Sequence, residues 1–258
     1  MSRFNAIQTR LAAIEEEQAV AILFACESGS RAWDFASQDS DYDVRFIYVH
    51  PTDWYSSIDL ERRRDVIECP IENDLDICGW DIRKALGLLR KSNPPLMEWL
   101  GSPIIYRESN AFRERMRDLA TTYFSPRACA HHYLNMARSN HHAYVKGTHS
   151  SVKQVIYVLR PLLAVDWLSS RRSCIPTEFP ELVATLIDDA GLRKAIDDLL
   201  LIKRHGQEQD TPPDVSLLDE FMSHELEHLD KELGLDSGSA ATASAANAFF
   251  RQVLREME

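Results

Sequence analysis

The spacing of apolar positions changes twice along this chain, and the changes predict its layout. Phe4, Ile7, Leu11 and Ile14 recur every three or four residues, which marks one face of a helix over 4–17. Residues 19–25 are then apolar without interruption. The run is too short for an ordinary helix and predicts a buried strand. The turn Glu27-Ser28-Gly29-Ser30 follows, and a second strand is predicted over 43–49, closed by His50-Pro51. Leu75-Asp76-Ile77 is the centre of a third strand within 71–78. Asp81 is placed to cap a helix that reaches about Arg90, and Asn93-Pro94-Pro95 is expected to break it. Ile104-Ile105-Tyr106 predicts a short strand.

Beyond residue 107 the pattern is helical. Helices are expected over 111–122, from the Ser125-Pro126 cap to Lys146, and over 152–169 with Pro161 as a kink or break. Further helical stretches are expected near 180–190, 191–204 and 214–233. The small, polar residues 234–248 fit either a linker or the approach to a terminal helix over 241–257. The fold class is therefore α+β, with a mixed domain over 1–110 and a helical domain over 111–258. No long linker parts the two, so a shared cleft is expected.

One turn in this layout carries chemistry. Gly29-Ser30 is followed, after ten residues, by Asp41-Tyr42-Asp43 at the start of a predicted strand. Residues i and i+2 of a strand face the same side, so Asp41 and Asp43 project together. Two carboxylates on one face suit a hard divalent cation. Gly-Ser turns offer unhindered N–H groups to phosphate oxygens. Acids and cradle together point to metal-assisted phosphoryl or nucleotidyl transfer. A plain surface turn with capping duties is the alternative for the acids, and a plain strand-to-helix turn for Gly29-Ser30. Arg31 fits a phosphate contact or an acid-capping role equally well.

Composition narrows the class of partner. The net charge of −11 over 258 residues lacks the basic footprint of a general nucleic-acid binder, although Arg62-Arg63-Arg64 forms a local basic cluster. Five cysteines, odd in number and with no C-x-x-C spacing, favour free thiols in a reducing cytoplasm. No apolar run approaches the length of a membrane span, so a cytoplasmic protein without membrane contact is expected.

Gly29-Ser30 with Asp41-x-Asp43 resembles the signature of the DNA polymerase β-like nucleotidyltransferase superfamily. The stretches ESGSRAWDFASQDSDYDVRFIYVHP, LDICGWDIRKALGLLRKSNPPLMEWLGSPIIY and VLRPLLAVDWL narrow the likeness to the predicted nucleotidyltransferases associated with RNA ligases. The resemblance implies a nucleotidyltransferase domain followed by a helical domain. It implies a third carboxylate on a neighbouring strand, a position that Asp76 matches, with Asp74 and Asp81 as rivals. It also implies Mg²⁺, or Mn²⁺, held by Asp41, Asp43 and Asp76 as the catalytic set. A nucleoside triphosphate would bind at Gly29, Ser30 and Arg31. Lys153, Tyr157 and Arg160 share one helix face by their spacing. In the resembling family that helix packs across from the acids, so Lys153 and Arg160 would meet the triphosphate and Tyr157 the base or ribose. Salt-bridging on an acidic surface is the plainer account of these residues.

The expected activity is Mg²⁺-dependent transfer of a nucleoside monophosphate from a nucleoside triphosphate to an acceptor hydroxyl, with an RNA end as the acceptor the resemblance favours. An AMP-transferring, antitoxin-like enzyme acting on protein, and a catalytically idle nucleotide- or RNA-binding module, are the alternatives. His224-Glu225-Leu226-Glu227-His228 also matches H-E-x-x-H. It lies in an amphipathic stretch with Leu218, Phe221, Met222, Leu226, Leu229 and Leu233 as the apolar stripe, so exposed histidines are expected rather than a zinc site.

Overall fold

The computed structural model describes residues 2–147, 151–171, 173–206, 215–232 and 241–257. Along the chain these form α1 (Arg3–Gln18), β1 (Ala21–Glu27), α2 (Gly29–Ala32), β2 (Tyr42–Val49) and α3 (Thr52–Tyr55). A 3-10 turn over Leu60–Arg62 leads to β3 (Val66–Glu68), β4 (Leu75–Asp81), α4 (Ile82–Leu89), α5 (Pro94–Gly101) and β5 (Ile105–Glu108). The remainder is helical: α6 (Phe112–Tyr123), α7 (Pro126–Lys146), α8 (Val152–Arg171), α9 (Phe179–Leu186), α10 (Ala190–His205), α11 (Ser216–Glu232) and α12 (Ser244–Glu256). The fold is α+β. No described helix is long and apolar enough to cross a membrane. All five cysteines are free thiols.

The chain divides into two compact units, each discontinuous in sequence. The first comprises Met1–Ser28, Asp41–Phe124 and Ser239–Glu258; the second comprises Gly29–Ser40 and Ser125–Gly238. The first holds a five-stranded sheet in the order β3-β4-β2-β1-β5. β2 and β4 run parallel, and the other neighbours are antiparallel. Alternation along β2 splits the core. Val44, Phe46 and Tyr48 pack with Ile7, Leu11 and Ile14 of α1 on one face. Ile47 and Val49 face the other way, onto a cluster that includes Leu86 of α4, Trp99 of α5, Met116 of α6 and Phe249 of α12. By the same parity Asp43 and Arg45 lie on that second face, at the strand end where the apolar residues stop.

Three local outcomes differ from the hydropathy pattern. Asn93-Pro94-Pro95 does end α4, but it also starts a helix. The Asn93 side chain accepts from the Leu96 N–H at 3.2 Å and Pro94 takes the first helical position, where no N–H is needed. Pro161 sits inside α8, which runs unbroken from Val152 to Arg171. The pattern does not announce β3, a three-residue strand that pairs with β4. Asp81 caps α4 as expected, accepting from the Arg83 N–H at 2.8 Å. The stretches 207–214 and 233–240, which include both ends of the helix expected over 214–233 and residues 234–240 of the small polar segment, lie outside the described residues.

Gly79 and Phe46 are partners across β4 and β2, and a Cβ at position 79 would stand 2.2 Å from the Phe46 ring. Phe46 is wholly buried and has no room to yield. Gly79→Ala is expected to cost about 1–3 kcal/mol through overpacking. Gly87, inside α4, has nothing within 4 Å of the same added atom, so Gly87→Ala is expected to stabilise by roughly 0.5–1 kcal/mol. Paired urea denaturation curves check both signs.

Candidate active site

In the first unit, the parallel register sets Asp43 of β2 directly beside Asp76 of β4. Arg45, two residues along β2 on the same face, lies between their carboxylates. Its guanidinium donates to Asp43 Oδ1 at 3.0 Å and to Asp76 Oδ2 at 2.7 Å, and also to the Asp76 carbonyl at 2.8 Å. Burial alone would lower the Arg45 pKa; the Asp76 hydrogen bond and the charges of Asp43 and Asp76 outweigh it and raise the pKa. The cation is therefore fixed between two anions. Asp41 is exposed and stands one residue ahead of β2. Among the described residues no three His, Cys, Asp or Glu side chains are gathered as a metal cluster. The structure thus brings Asp43 and Asp76 together and leaves Asp41 at the rim.

The two rivals of Asp76 point elsewhere. Asp74 precedes β4 with a left-handed backbone, φ 63°, and its carboxylate pairs with Arg3 at 3.2 Å. Asp81 is buried, capping α4 and accepting from the Tyr55 hydroxyl at 2.7 Å.

Beneath the acids is Glu27, the last residue of β1, which is fully buried. It accepts from the Asp43 backbone N–H at 2.8 Å and from the Tyr106 hydroxyl. The Ser28 N–H in turn donates to the Asp43 carbonyl at 2.8 Å. Asp43 is therefore held on both sides of its backbone by the end of β1. Glu27 and Arg45 are absent from the sequence-based site. Their available signal was a charged residue inside or ending a run that is otherwise apolar.

The second unit holds the Gly-Ser turn and the predicted face of α8. Gly29 has φ 60°, the left-handed region that glycine enters without penalty. First-turn N–H groups have no acceptor within their own helix, and Gly29 and Ser30 begin α2. The Ser30 side chain is buried, and its hydroxyl makes no hydrogen bond among the described residues. Arg31 donates to the Ser40 carbonyl at 2.6 Å, closing the loop rather than extending from it.

Trp33 joins this loop to α8. Its ring meets Tyr157 edge-on at 5.5 Å, and the Arg160 guanidinium lies 4.1 Å over it. Arg160 is 3% exposed and also donates to the Thr177 carbonyl. Lys153 Nζ sits 5.7 Å over the Tyr157 ring. Lys153, Tyr157 and Arg160 thus form one continuous strip that ends on the Gly-Ser loop. A buried lysine missing from the sequence-based site anchors the other side of that loop. Lys203 is fully buried and donates to the Ser37 hydroxyl at 2.7 Å and the Ser40 hydroxyl at 3.4 Å. His224 and His228 of α11 are exposed, their rings stacked at 3.9 Å.

Paired carboxylates on adjacent strands of a mixed sheet, the first of them in an Asp-x-Asp that follows Gly-Ser after ten residues, are the arrangement of the polymerase β-like nucleotidyltransferase class. Comparison with known families agrees. The family described as "RNA repair pathway DNA polymerase beta family" matches residues 4–252, and the chain belongs to it. An uncharacterized protein of Bacillus subtilis (strain 168), YcgL, is 46% identical over 216 residues, covering 84% of this chain and 82% of that one. A solved nucleotidyltransferase-like protein from Exiguobacterium sibiricum 255-15 aligns over 97% of this chain and 80% of its own, with 13% identity and a TM-score of 0.32. That level of likeness decides nothing further.

Removing a buried acceptor strands its donors. Tyr106→Phe takes one donor from Glu27 and is expected to destabilise by about 1 kcal/mol; Glu27→Ala removes the acceptor shared by the Tyr106 hydroxyl and the Asp43 N–H and should cost about 2–5 kcal/mol. Urea midpoints should rank wild type above Tyr106→Phe and both above Glu27→Ala. Equal midpoints for the two variants would remove Glu27 from its role as the shared acceptor.

Proposed function

We propose that this protein is a Mg²⁺- or Mn²⁺-dependent nucleotidyltransferase that moves a nucleoside monophosphate from a nucleoside triphosphate to an acceptor hydroxyl, and that the acceptor is an RNA end. The observation that supports it most is the side-by-side placement of Asp43 and Asp76 on parallel strands, sharing one cation in Arg45. Two carboxylates already organised around a positive group fit a divalent cation. All the donors are oxygen, which selects Mg²⁺ or Mn²⁺ over zinc. Asp43 and Asp76 would hold the metal, with Asp41 joining from the rim. When bound, such ions polarise the phosphoryl oxygens and bring attacking and leaving oxygens into line.

The chain's own residues supply the rest. The N–H groups of Gly29 and Ser30, with the Ser30 hydroxyl, bind terminal phosphate oxygens. Lys153 adds a positive charge, and Tyr157 stacks on base or ribose. Arg160 acts mainly by fixing Trp33 beneath the loop. Asp76 accepts the proton of the attacking hydroxyl as its oxygen bonds to the α-phosphorus, and the α–β phosphoanhydride bond breaks to release pyrophosphate. Arg45 neutralises Asp43 and Asp76, and a cation held by the two carboxylates would take the place of part of that contact. The RNA acceptor rests on the family's description, which places its members in RNA repair.

Incubation with each triphosphate and Mg²⁺, followed by mass analysis of RNA and protein products, tests the proposal. Label on an RNA end is expected. Label on a protein hydroxyl would replace the RNA acceptor by a protein one, and no transfer to either would leave a nucleotide-binding module. Asp43→Asn and Asp41→Asn should each lower transfer by at least about a hundredfold, since loss of groups one shell further out already costs 10–100-fold. Their melting temperatures without metal should stay near wild type. Near-wild-type activity in both variants would overturn the assignment of the acids.

A further inference from the structure

The far end of β2 meets a cavity of its own. Seven residues beyond Asp43, about 23 Å along a strand at roughly 3.3 Å per residue, it runs into a cavity of about 330 Å³. Tyr48, His50, Trp54, Arg63, Arg64 and Gln18 line it, all within the first unit. Ligand cavities commonly begin at about 300 Å³, so the space fits one small molecule and not a long polymer.

The walls are mainly aromatic and cationic, with one acid, Glu68, among them. The His50 ring stacks on Trp54 with centroids 3.9 Å apart and planes 11° from parallel. Tyr48 meets His50 edge-on at 5.5 Å. The Arg63 guanidinium lies 5.2 Å from the Trp54 centroid. It is fixed there by hydrogen bonds to Asp59 at 3.3 Å and Ser57 at 2.8 Å, and by a contact of 3.5 Å to the Trp54 carbonyl. Three of its five N–H groups are used, and two remain. Arg64 pairs with Glu68, but both side chains are more than half exposed. Such a pair is weak and is readily exchanged for a phosphate.

The Tyr48 hydroxyl and the His50 ring leave hydrogen-bonding capacity open to the cavity. Tyr48 is 1% exposed, yet its hydroxyl makes no hydrogen bond among the described residues. The hydroxyl opens onto the cavity, where it is placed to bond whatever enters the space. Burial, with the Arg63 charge adding to it, lowers the His50 pKa to about 4. The ring is neutral at pH 7, offering one donor and one acceptor. Neither ring nitrogen is hydrogen-bonded among the described residues.

We infer that this cavity binds a nucleotide, at a site separate from the paired carboxylates. The base lies against the aromatic wall, with the Tyr48 hydroxyl, the His50 nitrogens and the Gln18 amide reading its edge. The phosphate lies at Arg63 and Arg64. Aromatic stacking joined to arginine is the chemistry that holds single nucleotides without need of metal. The same chemistry admits a free mononucleotide or one nucleotide of a single-stranded RNA. The inference is independent of whether the chain transfers nucleotides.

Calorimetry on the full chain in EDTA, which removes any metal-dependent binding at the acids, tests it. The probes are AMP, UMP and a hexanucleotide of uridine. Tyr48→Phe removes only a hydroxyl that makes no hydrogen bond among the described residues, so its melting temperature should stay near wild type. Its nucleotide affinity should fall about three- to tenfold, the worth of one hydrogen bond. Arg64→Gln should weaken binding as much, and Asp43→Asn should leave it unchanged. A hexanucleotide bound more tightly than either mononucleotide assigns the site to an RNA strand; equal affinity assigns it to free nucleotide. Three results would overturn the inference: no binding at millimolar probe, unchanged binding in both Tyr48→Phe and Arg64→Gln, or loss of binding in Asp43→Asn.

Discussion

The parallel pairing of β2 with β4 is the constraint on which the rest depends. It is the one parallel ladder in a sheet whose other pairs are antiparallel. An antiparallel partner would carry its opening residues to the opposite end of the sheet. Here both strands start together, so the residues that open them, Asp43 and Asp76, become neighbours. A slip of one residue would turn one carboxylate to the α1 face. Gly79 resists that slip, because only a residue without a side chain fits beneath Phe46 in this register.

Polar groups then fix what the register has set. Arg45 neutralises the pair from within the sheet. Glu27 holds the backbone of Asp43, and its own carbonyl accepts from the buried Ser102 hydroxyl at 2.6 Å. Buried polar groups are costly unless matched, and matched ones rigidify their surroundings. In the second unit the Gly-Ser loop is tied down by the same kind of contact, through Lys203 on Ser37 and Ser40 and Arg160 over Trp33.

Periodic elements were legible in the sequence, and so was the motif. α1, β1, β2 and the Asp81 cap follow from spacing alone, because each buries one regular face or run. β3 was not legible: three residues, the last of them Glu68, are too few to show alternation. α5 was hidden because proline stops one helix and starts another with equal ease, and only the Asn93 cap separates the two. The acids stood out through their own spacing. Glu27, Arg45 and Lys203 did not, since a lone charge gives no sign of whether it is buried and paired or simply solvated. Nor does sequence proximity disclose that Gly29–Ser40 is counted with helices more than eighty residues further on.

The position of α12 has a consequence for how the molecule comes to exist. Ala246, Phe249 and Val253 complete the core formed by α4, α5 and α6. Tyr123 at the end of α6 donates to the Thr242 carbonyl at 2.9 Å and accepts from the Ala246 N–H at 3.0 Å. A ribosome makes the sheet and α4 to α6 first, then the whole helical unit, and α12 afterwards. During that interval the apolar surface that α12 will cover stays open to water and to other chains. Domains ordinarily fold as they emerge, but here the sheet-bearing unit must wait, and its closure becomes a late event of synthesis rather than an early one.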